Sequence, residues 1–207
     1  MKEKIVPSFE ANQFVDVAHG FVSPPKPKGW PRQFHSVKHC IESAIHMASQ
    51  IELVDHSLTS FRPDQVRDSY FRASLTELFR VEDVTGSLGK KLLFIASTDP
   101  SLHAIKLLRN YQIHIASIQL NEGRIAVTMA GEAAVYRSYI ALNVSAAELR
   151  RLDSAKKYSD QQLEGLASLF ETQQRKFGIT QLLYHLAMRV EALSKRALTL
   201  PSRDWHR

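Results

Sequence analysis

The sequence predicts a mainly helical protein, a helical bundle that carries one small β-hairpin after its central helix. Apolar residues recur every three or four positions in four long segments, as they do on the buried face of a helix. These segments are 36–53, 62–84, 99–120 and 180–198. Residues of high β-propensity are concentrated at about 124–143, on both sides of a turn-forming Ala-Gly-Glu sequence. Because two isolated strands are marginally stable, this hairpin must lie on the helices or pair with another chain.

Two capping-box sequences mark the starts of helices in the C-terminal half. Ser145 is followed by Glu148, and Ser159 is followed by Gln162. At this spacing each side chain can bond the backbone amide of the other residue, which satisfies two free amides at the start of a helix. We therefore expect a short helix after Ser145 and a longer one from Ser159 to about Phe177.

Length and composition are those of one soluble domain. The chain has 207 residues, of which 44% are hydrophobic and 23% charged, and its net charge is +6. This balance mildly favours a polyanionic partner. No apolar run is long enough to span a membrane and the first residues do not resemble a signal peptide, so we expect a cytoplasmic protein with no membrane contact. The single cysteine, Cys40, excludes an internal disulfide, and we expect it to be buried on the first long helix.

The chain divides into three regions. Residues 1–33 form an extended N-terminal arm, because the proline-rich sequence 24–31 excludes a helix or a central strand. We expect Phe14, Phe21 and Trp30 to anchor this arm on the domain; contact between a basic arm and nucleic acid is the alternative. Residues 34–200 form one helical domain that includes the hairpin, and 201–207 form a tail.

The segment 99–120 is the predicted central helix. Asp99 can cap it and Pro100 suits its first position, while Gly123 can end it. One apolar stripe contains Ala104, Leu107, Leu108, Tyr111, Ile115 and Ile118, and a second contains Leu102, Ile105, Ile113 and Ala116, with Arg109 in its middle. The polar stripe between them contains His103, Lys106, Asn110, His114 and Ser117. A helix with two apolar faces is central to the fold or lies at a subunit interface.

Part of this helix carries residue types that suit RNA cleavage. Histidine, with a pKa of about 6.5, can take up or release a proton near neutral pH. Arginine can bind two phosphate oxygens at once and stays charged when desolvated. Asn110 and His114 are four residues apart and share a helix face, so the amide can orient the imidazole or contact the phosphate.

The sequence Arg109-Asn110-Tyr111-Gln112-Ile113-His114 resembles the signature of the HEPN family, in which an arginine precedes a histidine by four to six residues and is often followed by a polar residue. Its position in a late helix, after two long amphipathic helices, is similar to the family's usual arrangement. The resemblance covers about residues 36–120; the hairpin departs from the family pattern. The resemblance implies a metal-independent endoribonuclease without a cofactor. In such an enzyme His114 would transfer protons, Arg109 would stabilise the transition state and Asn110 would be the orienting group.

The spacing of the motif favours a homodimer. Arg109 and His114 lie roughly 140° apart around a helix, so one helix does not easily direct both side chains at one phosphate. Two copies that cross at a two-fold axis can, and the second apolar stripe fits such an interface. HEPN nucleases are similar in this respect, because they typically act as dimers in which the motifs of the two chains form one composite cleft. We expect His103 and Lys106 to extend the phosphate-binding surface.

Several functions remain open at the level of sequence. The resemblance implies an RNA-cutting toxin or effector of a defence or stress system, with a possible cognate antitoxin or regulatory protein. The alternative is an inactive helical module that dimerises or binds RNA or a nucleotide, and a DNA-associated regulator is favoured only by the charge. A purely structural role would have Arg109 paired with Glu77 or Glu82 and His114 bonded within a buried helix.

Overall fold

The computed structural model of the chain describes residues 6–10, 13–54, 62–90, 92–114, 120–127 and 135–199. The side chains of residues 113, 114, 121, 123–127 and 135–139 lie outside this description, as do the tail and the turn predicted at 130–132. The protein is mainly helical, as predicted. Its elements are the helices α1 (His35–Gln50), α2 (Pro63–Ser87), α3 (Pro100–His114), α4 (Ala146–Arg150), α5 (Asp160–Phe177) and α6 (Ile179–Thr199), and the strands β1 (Leu120–Val127) and β2 (Val135–Leu142).

Helices α1, α2 and α6 form one side of the core. Helix α1 packs along α2 and α6 through a continuous row of apolar side chains, and the Ser74 hydroxyl donates to the Ala44 carbonyl at 3.0 Å across the α1–α2 contact. Cys40 is buried in this row, as predicted, and burial raises the pKa of its thiol. The described helices include none long and apolar enough to cross a membrane.

Helix α3 lies between α2 on one side and α4, α5 and α6 on the other. The Asp99 carboxylate accepts the Ser101 amide at 2.8 Å, so the predicted cap is confirmed. The predicted end at residue 120 is wrong, because α3 ends at His114 and Leu120 begins β1. Gly123, expected to stop the helix, is paired within the sheet opposite Tyr139.

The two strands pair antiparallel from Leu120 opposite Leu142 to Val127 opposite Val135. Strand β1 therefore begins four residues before the expected start at 124. Pairing decides this boundary, since Leu120 and Leu142 are both buried when the strands align, and tertiary burial overrides a local helical pattern. Gln174 of α5 holds the sheet in place: its side chain accepts from the Leu142 amide at 2.8 Å and donates to the Leu142 carbonyl.

Both predicted capping boxes are present. The Ser145 hydroxyl accepts from the Glu148 amide at the start of α4, and the Ser159 hydroxyl accepts from the Gln162 amide at the start of α5. Gly178 ends α5 with a φ of 88°, a conformation that glycine adopts without strain.

The N-terminal arm packs on the domain through specific bonds. Phe14 is buried, and Phe21 and Trp30 pack against the core, so the three expected anchors are in place. Gln181 of α6 bonds both the amide and the carbonyl of Phe21, at 2.7 and 3.2 Å. The Trp30 indole donates to Glu191 at 2.9 Å. The arm is therefore held along α6 by apolar contacts and by hydrogen bonds from α6 side chains.

Candidate functional site

The central helix is buried almost all around. From Pro100 to Gln112 the side chains of α3 are buried except for three half-exposed residues, Lys106, Arg109 and Asn110. We refer to these three residues as the α3 window. Leu102 and Ile105, members of the second apolar stripe, are fully buried within this chain. This part of the stripe is therefore covered by the chain's own helices and offers no apolar surface to a second copy, contrary to our expectation.

The Arg109 guanidinium lies over an aromatic ring. Its Cζ is 5.3 Å from the centroid of Phe79 on α2, and one Nη donates to the Asn110 side-chain oxygen at 3.1 Å. Its Nε is buried and has no hydrogen-bond partner. Within the described residues Arg109 forms no ion pair. A charged guanidinium with an unsatisfied donor is well suited to bind an anion.

The pairing of Arg109 with Glu77 or Glu82, which a structural role would require, is absent from the described part of the chain. Glu77 lies 3.6 Å from Arg80, and Glu82 accepts the Phe94 amide at 2.8 Å. Both carboxylates therefore have other contacts.

Asn110 connects the window to a distant part of the chain. While its oxygen accepts from Arg109, its Nδ2 donates to the Ser154 hydroxyl at 3.0 Å. The sequence predicts that this amide orients His114 or contacts the phosphate. In the structure it bonds Arg109, and the His114 side chain lies outside the described residues. One amide hydrogen and one oxygen lone pair of Asn110 remain for a ligand.

Lys106 is the second cation of the window. Its ammonium lies 5.5 Å from the centroid of Phe79, so Lys106 and Arg109 flank the same ring. Like charges three residues apart on a helix repel each other. Lys106 and Arg109 thus place two positive charges at the window.

A basic segment borders the window. Ser154 lies in the short 3-10 helix Asp153–Lys157, directly after α4. In and around it, Arg151 and Lys157 are exposed. Sequence reasoning missed Ser154 and Phe79, since no local pattern relates either residue to Arg109; the basic sequence at 150–157 was the only available signal.

The prediction that His103 extends the phosphate-binding surface is wrong, because this residue is not exposed. Its side chain has 0% exposure, and its two ring nitrogens contact the Tyr158 hydroxyl at 2.8 Å and the Ser97 carbonyl at 2.7 Å. Burial lowers the pKa of His103. The reason is that α5 and its preceding segment pack over this side of α3, which the periodicity of one helix does not reveal. We therefore leave His103 out of the candidate site.

His114 is the last residue of α3, and its side chain lies outside the described part of the structure. Its position on the backbone is about 7.5 Å along the helix axis from Arg109. The structure thus brings Arg109, Asn110 and Lys106 together and places His114 beyond them at the end of the helix.

A second polar cluster lies where β1 begins. Asp68 of α2 is buried, accepts the Leu120 amide, and has a pKa raised to about 6, mainly by burial. Its neighbour Arg67 has a buried Nε without a hydrogen-bond partner and reaches Glu122 at 4.0 Å. No sequence pattern singled out this cluster.

In the described part of the chain, no three His, Cys, Asp or Glu side chains are grouped as metal ligands. No protein-family model matches the chain, and comparisons with curated proteins and with solved structures give no significant match. The basis for a function is therefore the geometry of the α3 window together with the motif that supplies two of its three residues.

Proposed function

We propose that this protein is a metal-independent endoribonuclease of HEPN type that acts as a homodimer. The α3 window supports this proposal: the described side chains of the central helix reach solvent only at Lys106, Arg109 and Asn110, and two of these three belong to the motif. A buried helix that exposes two cations and an amide at one point is suited to bind a phosphodiester.

The proposed reaction divides its steps among the motif residues. One His114 imidazole takes the proton of the RNA 2′-hydroxyl, whose oxygen then forms a bond to phosphorus. The bond between phosphorus and the 5′-oxygen breaks, and a second imidazole gives that oxygen a proton. The products are a 2′,3′-cyclic phosphate and a free 5′-hydroxyl. Arg109 stabilises the charge on the phosphoryl oxygens, and Asn110 fixes the guanidinium in position.

Two imidazoles require two chains, because the motif contains one histidine. The offset between Arg109 and His114 around α3 leads to the same requirement. The acid would then be His114 of the partner subunit. Leu102 and Ile105 are buried inside the protomer, so they do not form the interface. The dimer is therefore proposed from the offset between Arg109 and His114, and its interface would form around the α3 window.

The alternative is a site that binds RNA or a nucleotide without cutting it. The hydrogen bonds from Arg109 to Asn110 and from Asn110 to Ser154 favour this alternative. They position a cation that can bind phosphate, and they include no group that transfers a proton. For the active nuclease, the biological role implied by the resemblance is a toxin or defence effector, with an antitoxin or regulatory protein as its partner.

The test is cleavage of RNA in the presence of EDTA. We expect the wild-type protein to cut, and Arg109→Ala and His114→Ala to be at least about a hundredfold slower, since acid–base and electrostatic groups each contribute this much. Arg175→Ala is the matched control, because Arg175 lies on the exposed face of α5 with 70% of its side chain accessible.

Two further measurements separate the alternatives. RNA with a 2′-deoxy nucleotide at the scission point should resist cleavage, and light scattering at micromolar concentration should show a dimer. Equal cleavage by all variants would refute the site. Binding of RNA that depends on Arg109, with no cleavage by the wild type, would establish the inactive module instead.

A further inference from the structure

An open groove lies between the N-terminal arm and helix α1. It has a volume of about 640 Å³, which is within the range of ligand-binding clefts. One wall is formed by residues 23–28 of the arm, and the other by one face of α1, from Lys38 to Ser49. The groove is separate from the α3 window, which faces α2 and the segment after α4.

The groove is positively charged. Residues 17–51 contain four lysines and arginines but only one acidic residue, Glu42. Lys26, Lys28 and Lys38 line the groove, and Glu42 is bonded to Lys38 at 3.2 Å. The three lysines and one glutamate that line the groove give it a net positive charge, which attracts a polyanion.

The groove is preformed. The arm is fixed on both sides of residues 23–28, by Gln181 at Phe21 and by Glu191 at Trp30. Pro27 is buried, and Lys195 of α6 donates to the Lys28 carbonyl. A ligand therefore does not need to order the arm, which lowers the entropic cost of binding.

We infer that this groove binds the backbone of single-stranded RNA. Lys26 and Lys28 are two residues apart in an extended segment, about 6 Å along the chain, and their exposed ammonium groups can contact successive phosphates. The exposed His46 imidazole lines the opposite wall and offers a surface on which a base can stack. The choice of RNA over DNA rests on the proposed function.

The lining of the groove favours a single strand of RNA over an acidic peptide. A cleft of about 640 Å³ has room for a short piece of one strand. Between the two lysines lies only Pro27, whose ring is buried, so the surface on which a base can stack is the exposed His46 imidazole. An acidic peptide would use the cations but not this surface.

The experiment measures binding of a short fluorescein-labelled 2′-O-methyl RNA single strand by fluorescence anisotropy at several salt concentrations. This RNA cannot be cut by attack of a 2′-hydroxyl, so binding is measured separately from cleavage. The test variant is Lys26→Gln/Lys28→Gln, whose side chains are exposed. The control is Arg62→Gln/Arg175→Gln, which removes the same charge from two side chains outside the groove that are 72% and 70% exposed.

We expect the lysine variant to bind about tenfold more weakly than the control, and its salt slope to be smaller by about 1.4, since each contact to a single strand contributes about 0.7. Glu42→Gln should bind more tightly than the wild type, because it removes the only acidic side chain in the groove. Equal affinities and slopes for the lysine variant and the control would overturn the inference. Tighter binding of a polyglutamate peptide than of RNA, lost in the lysine variant, would also overturn it.

The groove and the window can fail independently. If the lysine variant binds like the control while Arg109→Ala still abolishes cleavage, the groove inference is wrong and the nuclease stands. If the wild type does not cut RNA but the lysine variant loses affinity, the groove stands and the nuclease is wrong.

Discussion

Asn110 holds Arg109 in a fixed position. The Asn110 oxygen accepts a hydrogen bond from the Arg109 guanidinium at 3.1 Å, and its nitrogen donates to Ser154 at 3.0 Å. The cation on the central helix is thereby oriented by a hydroxyl that lies 44 residues later in the chain.

Loss of the Ser154 hydroxyl should weaken RNA binding without unfolding the protein. In Ser154→Ala the Asn110 amide loses its partner, so Arg109 is held less firmly. We expect RNA affinity to fall about threefold to tenfold and the free energy of unfolding by about 0.5–1.5 kcal/mol. Ser154→Thr keeps the hydroxyl and should restore most of the affinity. An unchanged affinity in Ser154→Ala would mean that Asn110 does not position Arg109 for RNA.

Lysine should not replace Arg109. Arg109→Lys keeps the positive charge but loses the planar fork that can contact Asn110 and two phosphate oxygens together. We expect the affinity of this variant for 2′-O-methyl RNA to be about tenfold below that of the wild type and close to that of Arg109→Ala. If Arg109→Lys binds like the wild type, charge alone determines binding at the window and the bonded geometry is irrelevant.

Asp68→Asn should stabilise the protein at neutral pH. Burial raises the pKa of Asp68 to about 6, so the folded state resists ionisation that is favourable in the unfolded chain. The stabilising contribution of the protonated carboxyl is complete below the ordinary aspartate pKa of about 3.9 and is lost as pH rises through about 6. The asparagine variant should therefore gain about 1–3 kcal/mol in unfolding free energy at pH 7.

The gain in Asp68→Asn should disappear below pH 4, where the wild-type carboxyl is protonated in both states. Urea unfolding at both pH values measures this difference. Asp64→Asn is the control, because Asp64 lies one turn earlier on α2 and has a lowered pKa, held down by Arg62 against the opposing effect of burial. If the difference in unfolding free energy between Asp68→Asn and the wild type is the same at both pH values, the pKa of Asp68 is not raised in the folded protein.

Removal of the His103 imidazole should affect stability and not RNA binding. His103→Ala leaves the Tyr158 hydroxyl and the Ser97 carbonyl without their buried partner and opens a cavity, so we expect a loss of about 2–4 kcal/mol. RNA affinity at a temperature where the variant is folded should equal that of the wild type. A loss of affinity without a loss of stability would return His103 to the binding surface.

His103 should also make the stability of the folded protein depend on pH. Since burial lowers the pKa of His103, the contribution of its neutral ring is present above the ordinary histidine pKa of about 6.5 and is lost as pH falls through the lowered value. The stability of the wild type should therefore decrease below pH 6.5 more steeply than that of His103→Ala, as thermal unfolding across this range would show.

Features that depend on neighbouring residues in the chain were predictable. The capping boxes at Ser145 and Ser159, the Asp99 cap and the burial of Cys40 follow from local spacing, and the structure confirms them. The same holds for the mainly helical fold, because helical periodicity needs no knowledge of what a helix packs against.

Features that depend on distant residues were not predictable in the same way. The apolar periodicity of the central helix continues past His114, yet Leu120 belongs to a strand because it is buried opposite Leu142. His103 and Lys106 look equivalent on a helical wheel, but Tyr158 and Phe9 cover only His103. A wheel gives the direction of a side chain and not what lies in that direction.

The sequence by itself determined that one helix carries Arg109, Asn110 and His114, at a spacing that resembles the HEPN signature. Only the tertiary structure decided that this helix is enclosed and exposes Lys106, Arg109 and Asn110 at one point beside Phe79 and Ser154. The physical reason is that a motif lies within one segment, whereas exposure and orientation are set by the segments that pack around it.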